Sequence, residues 1–213
     1  IICIAESAFA ECVSLTSIVI PEGVTNIEYE AFIDCKSLKN ITIPKSVTSL
    51  DGNVFDGTQW LDDQQDGPIY INNCFYKYKG EMPIDFHIDI KEGTTCICDY
   101  AFYQCKNLKT ITLPDSLEIV GYYAFLNCSS LNSVSIPNSV TQLCKGAFEN
   151  CTSLTSVELP QKINRIEGEV FRNCSSLQSI TIPNTVEEIC FYAFERCTSL
   201  TSIIIPNSVK CIE

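Results

Sequence analysis

The chain predicts a β-rich solenoid, a right-handed stack of about nine coils, and three observations carry that prediction. Phenylalanines recur at 9, 32 and 55 and again at 102, 125, 148, 171 and 194, a period of 23 residues broken by one gap of 47. Prolines keep the same beat at 21, 44, 114, 137, 160, 183 and 206. Between each phenylalanine and its proline lies a stretch such as "SIVIP", "TITLP" or "SVELP", in which apolar and polar residues alternate.

Written from one phenylalanine to the next, the unit is A-F-x-x-C-x-S-L-x-x-I-x-I-P-x-x-V-x-x-I-x-x-x. Its alternating, β-branched segment reads as a short strand ended by proline, which cannot donate to a ladder. The second half, as in "SVTQLCKGAF", spaces its apolar residues too loosely for a helix and is expected to return as a short strand or turn. A single coil buries too little to stand alone, so neighbouring coils must cover one another's core. Stacking then builds a parallel sheet of short strands on the concave face, with short strands and turns on the other. At roughly 4.8 Å per coil, nine coils extend about 40 Å.

The long gap does not end the pattern. Residues 56–91 read as irregular coils with an inserted loop: strands "PIYIN" and "FHIDIK" persist, "DGTQWLDDQQDG" bulges and carries the only tryptophan, and "CFYKYKG" supplies an aromatic return strand. Residues 1–213 are therefore taken as one solenoid. Because the pattern is already running at the first residue and still running at the last, the chain reads as a fragment of a longer protein, with further repeats or other chains at its open ends.

The net charge of −12 sets the chain against nucleic acid and anionic lipid, whose phosphates it would repel. No apolar run approaches the roughly 18 residues of a membrane span. Asp62, Asp63 and Asp66 lack the spacing of a calcium loop.

Seven cysteines, at 12, 35, 105, 128, 151, 174 and 197, sit three residues after a phenylalanine, and Thr58 fills that slot in the irregular coil. Every stacked member has equivalent neighbours above and below, and an odd number cannot pair off. With one histidine and no C-x-x-C pair, the pattern reads as a buried ladder of free thiols, with no metal and no cofactor. Fourteen unpaired cysteines by themselves favour a reducing, cytoplasmic setting.

On its A-F-x-x-C signature, its 23-residue period and its proline after the strand, the chain resembles the BspA-like leucine-rich repeats. The resemblance covers essentially the whole chain, and even "FDGTQWLDDQQDGPIYINNCFYKYKGEMP" is similar to a coil of bacterial members. It implies a leucine-rich repeat solenoid belonging to a large surface or secreted protein, with a role in adhesion to host matrix proteins or other cells.

In the strands, the two residues flanking the central apolar position point outward together. Their columns are mostly Ser and Thr, except where Tyr70, His87 and Asp89 set an aromatic ring, an imidazole and a carboxylate side by side. Tyr70, His87 and Asp89, with Thr112, Ser135 and Glu158, are thus the candidate ligand-binding residues of the concave face, for a protein or glycan partner. No catalytic residue is assigned: the hydroxyls nearest the His87 and Asp89 pair are Thr110 and Thr112, and no oxyanion donor is evident. The reading is a non-enzymatic recognition module; its rivals are a structural spacer or assembly component and an intracellular scaffold. Sequons stand at Asn40, Asn127, Asn150 and Asn173, three of them products of the repeat's own N-C-[ST] phase.

Overall fold

The computed structural model describes residues 2–213 and resolves into two compact units, the first ending at Gly80 and the second spanning Glu81–Glu213. Both are β-solenoid. The first holds β1 (Cys3–Ile4), β2 (Ser17–Val19), β3 (Asn26–Ile27), β4 (Asn40–Thr42), β5 (Ser49–Leu50), a one-turn helix α1 (Gln59–Asp62), β6 (Gly67–Ile71) and β7 (Cys74–Lys79). The second holds β8 (Phe86–Asp89), β9 (Cys96–Ile97), β10 (Leu108–Thr112), β11 (Ile119–Val120), β12 (Ser133–Ser135), β13 (Gln142–Leu143), β14 (Ser156–Glu158), β15 (Arg165–Ile166), β16 (Ser179–Ile180), β17 (Glu188–Ile189) and β18 (Cys211–Ile212). No helix among the described residues is long and apolar enough to cross a membrane.

Within each unit, the regular coils contribute their two apolar segments as short strands to parallel ladders. In the second unit, β8, β10, β12, β14 and β16 pair in order, and like residues face like: Thr110 meets Ser133, Ser133 meets Ser156, and Ser156 meets Ser179. The alternation has its expected result, since Val134 and Val157 are buried between exposed Ser133, Ser135, Ser156 and Glu158. The second halves of the coils form short strands too, with β11 between β9 and β13.

Around each phenylalanine the chain turns twice through the left-handed region. Tyr123 and Asn127 flank Phe125 at φ 54° and 64°, and Glu169 and Asn173 flank Phe171 at 62° and 59°. These paired kinks turn alternate N–H groups along the stacking direction, so Phe125 donates to the Ala147 carbonyl at 2.8 Å and Phe148 to that of Val170 at 3.0 Å. Gly146 takes the kink before Phe148 at φ +65°, and the Tyr123 ring lies where its Cβ would be. The phenylalanine rings stack face to face, with 4.9 Å between the centroids of Phe125 and Phe148 and 3° between their planes. This column and the leucine and isoleucine rows beside it are the core.

The cysteine column is a ladder of hydrogen bonds. Cys128 Sγ donates to the Phe102 carbonyl at 3.1 Å, Cys151 to Phe125 at 3.3 Å, Cys174 to Phe148 at 3.2 Å and Cys197 to Phe171 at 3.1 Å. Each of these carbonyls also accepts the N–H of its own coil's cysteine, as Phe125 does from Cys128 at 3.1 Å. The thiol therefore sits as a small, nearly apolar donor on a buried acceptor's second lone pair. The seven cysteines of this column, Cys12, Cys35, Cys105, Cys128, Cys151, Cys174 and Cys197, are free thiols.

In the first unit the irregular stretch behaves differently from the strict repeat. Thr58 turns its hydroxyl onto the Phe55 carbonyl of its own coil at 2.7 Å, and accepts from Leu61 N–H at 3.2 Å as the N-cap of α1. Trp60, on α1, packs its ring 5.0 Å from that of Phe55. β6 and β7 form an antiparallel hairpin, so "PIYIN" is not a further parallel rung. The hairpin buries Tyr76, whose hydroxyl accepts from Phe55 N–H at 2.9 Å and donates to Asp56 at 3.2 Å, while Lys77 closes on the same carboxylate at 2.6 Å.

Candidate functional site

The outward strand face of the Glu81–Glu213 unit carries five of the six candidate residues. On β8 and β10 the register sets His87 beside Thr110 and Asp89 beside Thr112. The His87 ring bridges two partners, with Nδ1 2.7 Å from Thr110 Oγ1 and Nε2 3.0 Å from Asp89 Oδ1. The Thr112 hydroxyl, and then His87, hold the Asp89 carboxyl below the usual carboxylate range. Two strands thus share one polar network, held in place by neighbours on both sides although Asp89 is 76% exposed.

Two strands further along, Ser135 Oγ donates to Glu158 Oε2 at 2.6 Å. Here the face deepens where the strands turn at proline, into a concavity of about 470 Å³ bordered by Ser135, Glu158, Asp115, Asn138 and Gln161. The residue after each proline supplies its rim. The column Asp115, Asn138 and Gln161 could have been read from the sequence as a polar edge, but the depth beside it follows from how the coils turn.

Tyr70 lies in the other unit, on the β6–β7 hairpin, half-buried with its ring edge-on to Phe75 at 5.1 Å. In the same unit, Ser17 faces Asn40 and Val19 faces Thr42 across β2 and β4.

The Asp89–His87–Thr110 arrangement has the order of an acid, a base and a hydroxyl. Thr110 and Thr112 are paired with β8 in the ladder, and the network lies on an open sheet face, where water competes for a developing charge. What such an arrangement does well is present fixed donors and acceptors to an incoming surface. Elsewhere Glu188, Cys190 and Glu213 bring their ligand atoms within 4.8 Å of one another. The Arg165 guanidinium already answers them, 3.0 Å from Cys190 Sγ and 3.6 Å from Glu188, so the cluster carries its own cation.

The chain belongs to the BspA type leucine rich repeat family, whose model matches in six copies over residues 2–78, 69–184 and 164–213. Among solved structures it is similar to a leucine-rich repeat protein of Bacteroides ovatus, 28% identical with a TM-score of 0.53, over 100% of this chain and 43% of that one. A leucine-rich repeat protein of Eubacterium ventriosum aligns at 20% identity and a TM-score of 0.56, over 99% of this chain and 78% of the other, and shares the fold. A leucine rich cell surface protein of Faecalibacterium prausnitzii is 28% identical with a TM-score of 0.50, over 97% of this chain and 62% of that one. The chain thus spans less than half of the first relative's length. No curated protein matches it.

Proposed function

We propose that this chain is a non-enzymatic recognition module of a cell-surface or secreted protein, and that it holds a polypeptide partner on its outward strand face. The observation that carries the reading is the preset network His87–Asp89–Thr110–Thr112, followed on the same face by Ser135–Glu158 and its concavity. Side chains already fixed by their neighbours lose little freedom when a partner arrives, and the small hydroxylated residues around them let a second backbone come close. A carboxylate and an imidazole among neutral hydroxyls would give such a contact its register. The surface location is supported by the family and by the Faecalibacterium relative, a cell surface protein.

The test uses the 213-residue chain immobilised on a sensor surface and a panel of purified extracellular-matrix polypeptides. His87→Ala with Asp89→Ala, and separately Glu158→Gln, should weaken capture at least about tenfold while leaving the thermal midpoint within a few degrees. Tyr70→Ala reads out whether the β6–β7 hairpin joins the contact. Unaltered capture by both strand-face variants would move the binding surface elsewhere.

A further inference from the structure

In the Glu81–Glu213 unit the second ladder is interrupted once. β9, β11 and β13 form one run and β15, β17 and β18 another, and no pairing joins β13 to β15. On either side of the break a backbone N–H of each coil reaches a carbonyl of the coil before, as Cys144 does to Val120 and Cys190 to Ile166, both at 2.9 Å. Among the described residues no such bond runs from Glu167 to Leu143, or from Arg165 to Thr141.

The break is local to the second ladder. Beside it the two coils stay in register, with Gly146 N–H donating to the Gly168 carbonyl and Phe148 N–H to that of Val170, both at 3.0 Å. The rings of Phe148 and Phe171 stand 5.9 Å apart across the break, against 4.9 Å for Phe125 and Phe148.

Where the strands part there is a pocket of about 190 Å³. Its walls mix the Tyr122 ring, 51% exposed, and Leu143 with the polar ends of Gln142, Asn164, Arg165 and Glu167. Arg165 lies 3.0 Å from Glu167 and 3.6 Å from Glu188, so its charge is met and the pocket offers no surplus to an anion; the guanidinium in turn repels a cation. Drug-sized ligands occupy roughly 300 Å³ or more, which leaves room here for one ring. A neutral pyranose fits that description. Its C–H face lies on an aromatic ring, and its hydroxyls pair with planar amides and with the strong, charge-assisted groups of an Arg–Glu pair. The uncoupled strand edges add an acceptor at the Leu143 carbonyl and a donor at the Glu167 N–H, the complement of one amide.

We propose that this cleft, on a different ladder from the strand face above, binds a single neutral pyranose, such as the terminal sugar of a glycan, and favours one bearing an N-acetyl group. The acetamido N–H and carbonyl supply the donor and acceptor that the parted strands lack.

The experiment titrates the ¹⁵N-labelled 213-residue chain with N-acetylglucosamine, glucose and glucuronic acid, each to about 50 mM, a range suited to millimolar affinity. N-acetylglucosamine should give saturable shifts at the amides of Gln142–Cys144 and Asn164–Glu167, with glucose binding about tenfold more weakly for want of the amide. Tyr122→Ala and Asn164→Ala should each weaken binding at least about tenfold in folded protein. Shifts absent from these amides, confined to the β12 and β14 face, or stronger with glucuronic acid would each overturn the proposal.

Discussion

Alkaline titration of the thiol ladder puts the buried-cysteine structure to a quantitative test. Burial pushes Cys105 up to about 12 and Cys197 up to about 11, and raises Cys128, Cys151 and Cys174 as well, from an ordinary value of 9.0. The folded chain therefore keeps these protons where the unfolded chain releases them. Their contribution to stability is whole below pH 9 and is lost as the pH rises from 9 through the folded values. One pH unit above the unfolded value each such thiol removes on the order of 1 kcal/mol, less for Cys197 at the more exposed end of the column, so the ladder together removes several kcal/mol at pH 10. A domain commonly has only about 5–15 kcal/mol in all, so the chain should be close to unfolding there. The measurement is guanidinium chloride unfolding followed by far-ultraviolet circular dichroism at pH 7, 8, 9 and 10, under argon with a phosphine reductant. Stability that holds level from pH 8 to pH 10 would refute the buried ladder. In parallel, native protein at pH 8 should react with a disulfide reagent quickly at the exposed Cys12 and Cys211 and slowly at the five.

Three further outcomes follow from local structure. Phe148→Ala removes a fully buried ring stacked on both sides and should cost about 3–5 kcal/mol, measured by chemical unfolding. Asn150 sits at φ 59° with its amide donating to Asn127 at 2.9 Å and accepting from Asn173 at 2.7 Å; Asn150→Ala should cost about 2 kcal/mol and Asn150→Gly, free of the backbone penalty, about half that. Thr58→Cys, although it restores the repeat's own residue, should destabilise by about 1 kcal/mol in thermal or chemical melts, because a thiol is a weak acceptor for the Leu61 N–H that Thr58 caps.

The candidate face was partly legible. Ser133, Ser135, Ser156 and Glu158 point outward as alternation requires, and His87 and Asp89 meet Thr110 and Thr112 because a constant repeat length leaves the register no other choice. Tyr70 was not legible in the same way. "PIYIN" has the pattern of a rung, yet β7, "CFYKYK", follows β6 after the two-residue link Asn72 and Asn73 and takes its hydrogen bonds in an antiparallel hairpin, a pairing that a period-2 pattern does not distinguish from a parallel one. Thr58 shows the same limit. Its position in the cysteine column was plain, but its choice of its own coil's carbonyl depends on the α1 turn that follows.

The 23-residue recurrence determined the winding, the two ladders, the ring column and the thiol column without any reference to coordinates. When every unit has one length, the only arrangement that buries all units alike is to lay like on like. Tertiary structure alone decided where that regularity gives way. The hydrogen bonds broken between β13 and β15, and the depth beside Ser135 and Glu158, come from sub-ångström to ångström differences in how adjacent coils pack. The opening exists only once the coils are stacked against one another.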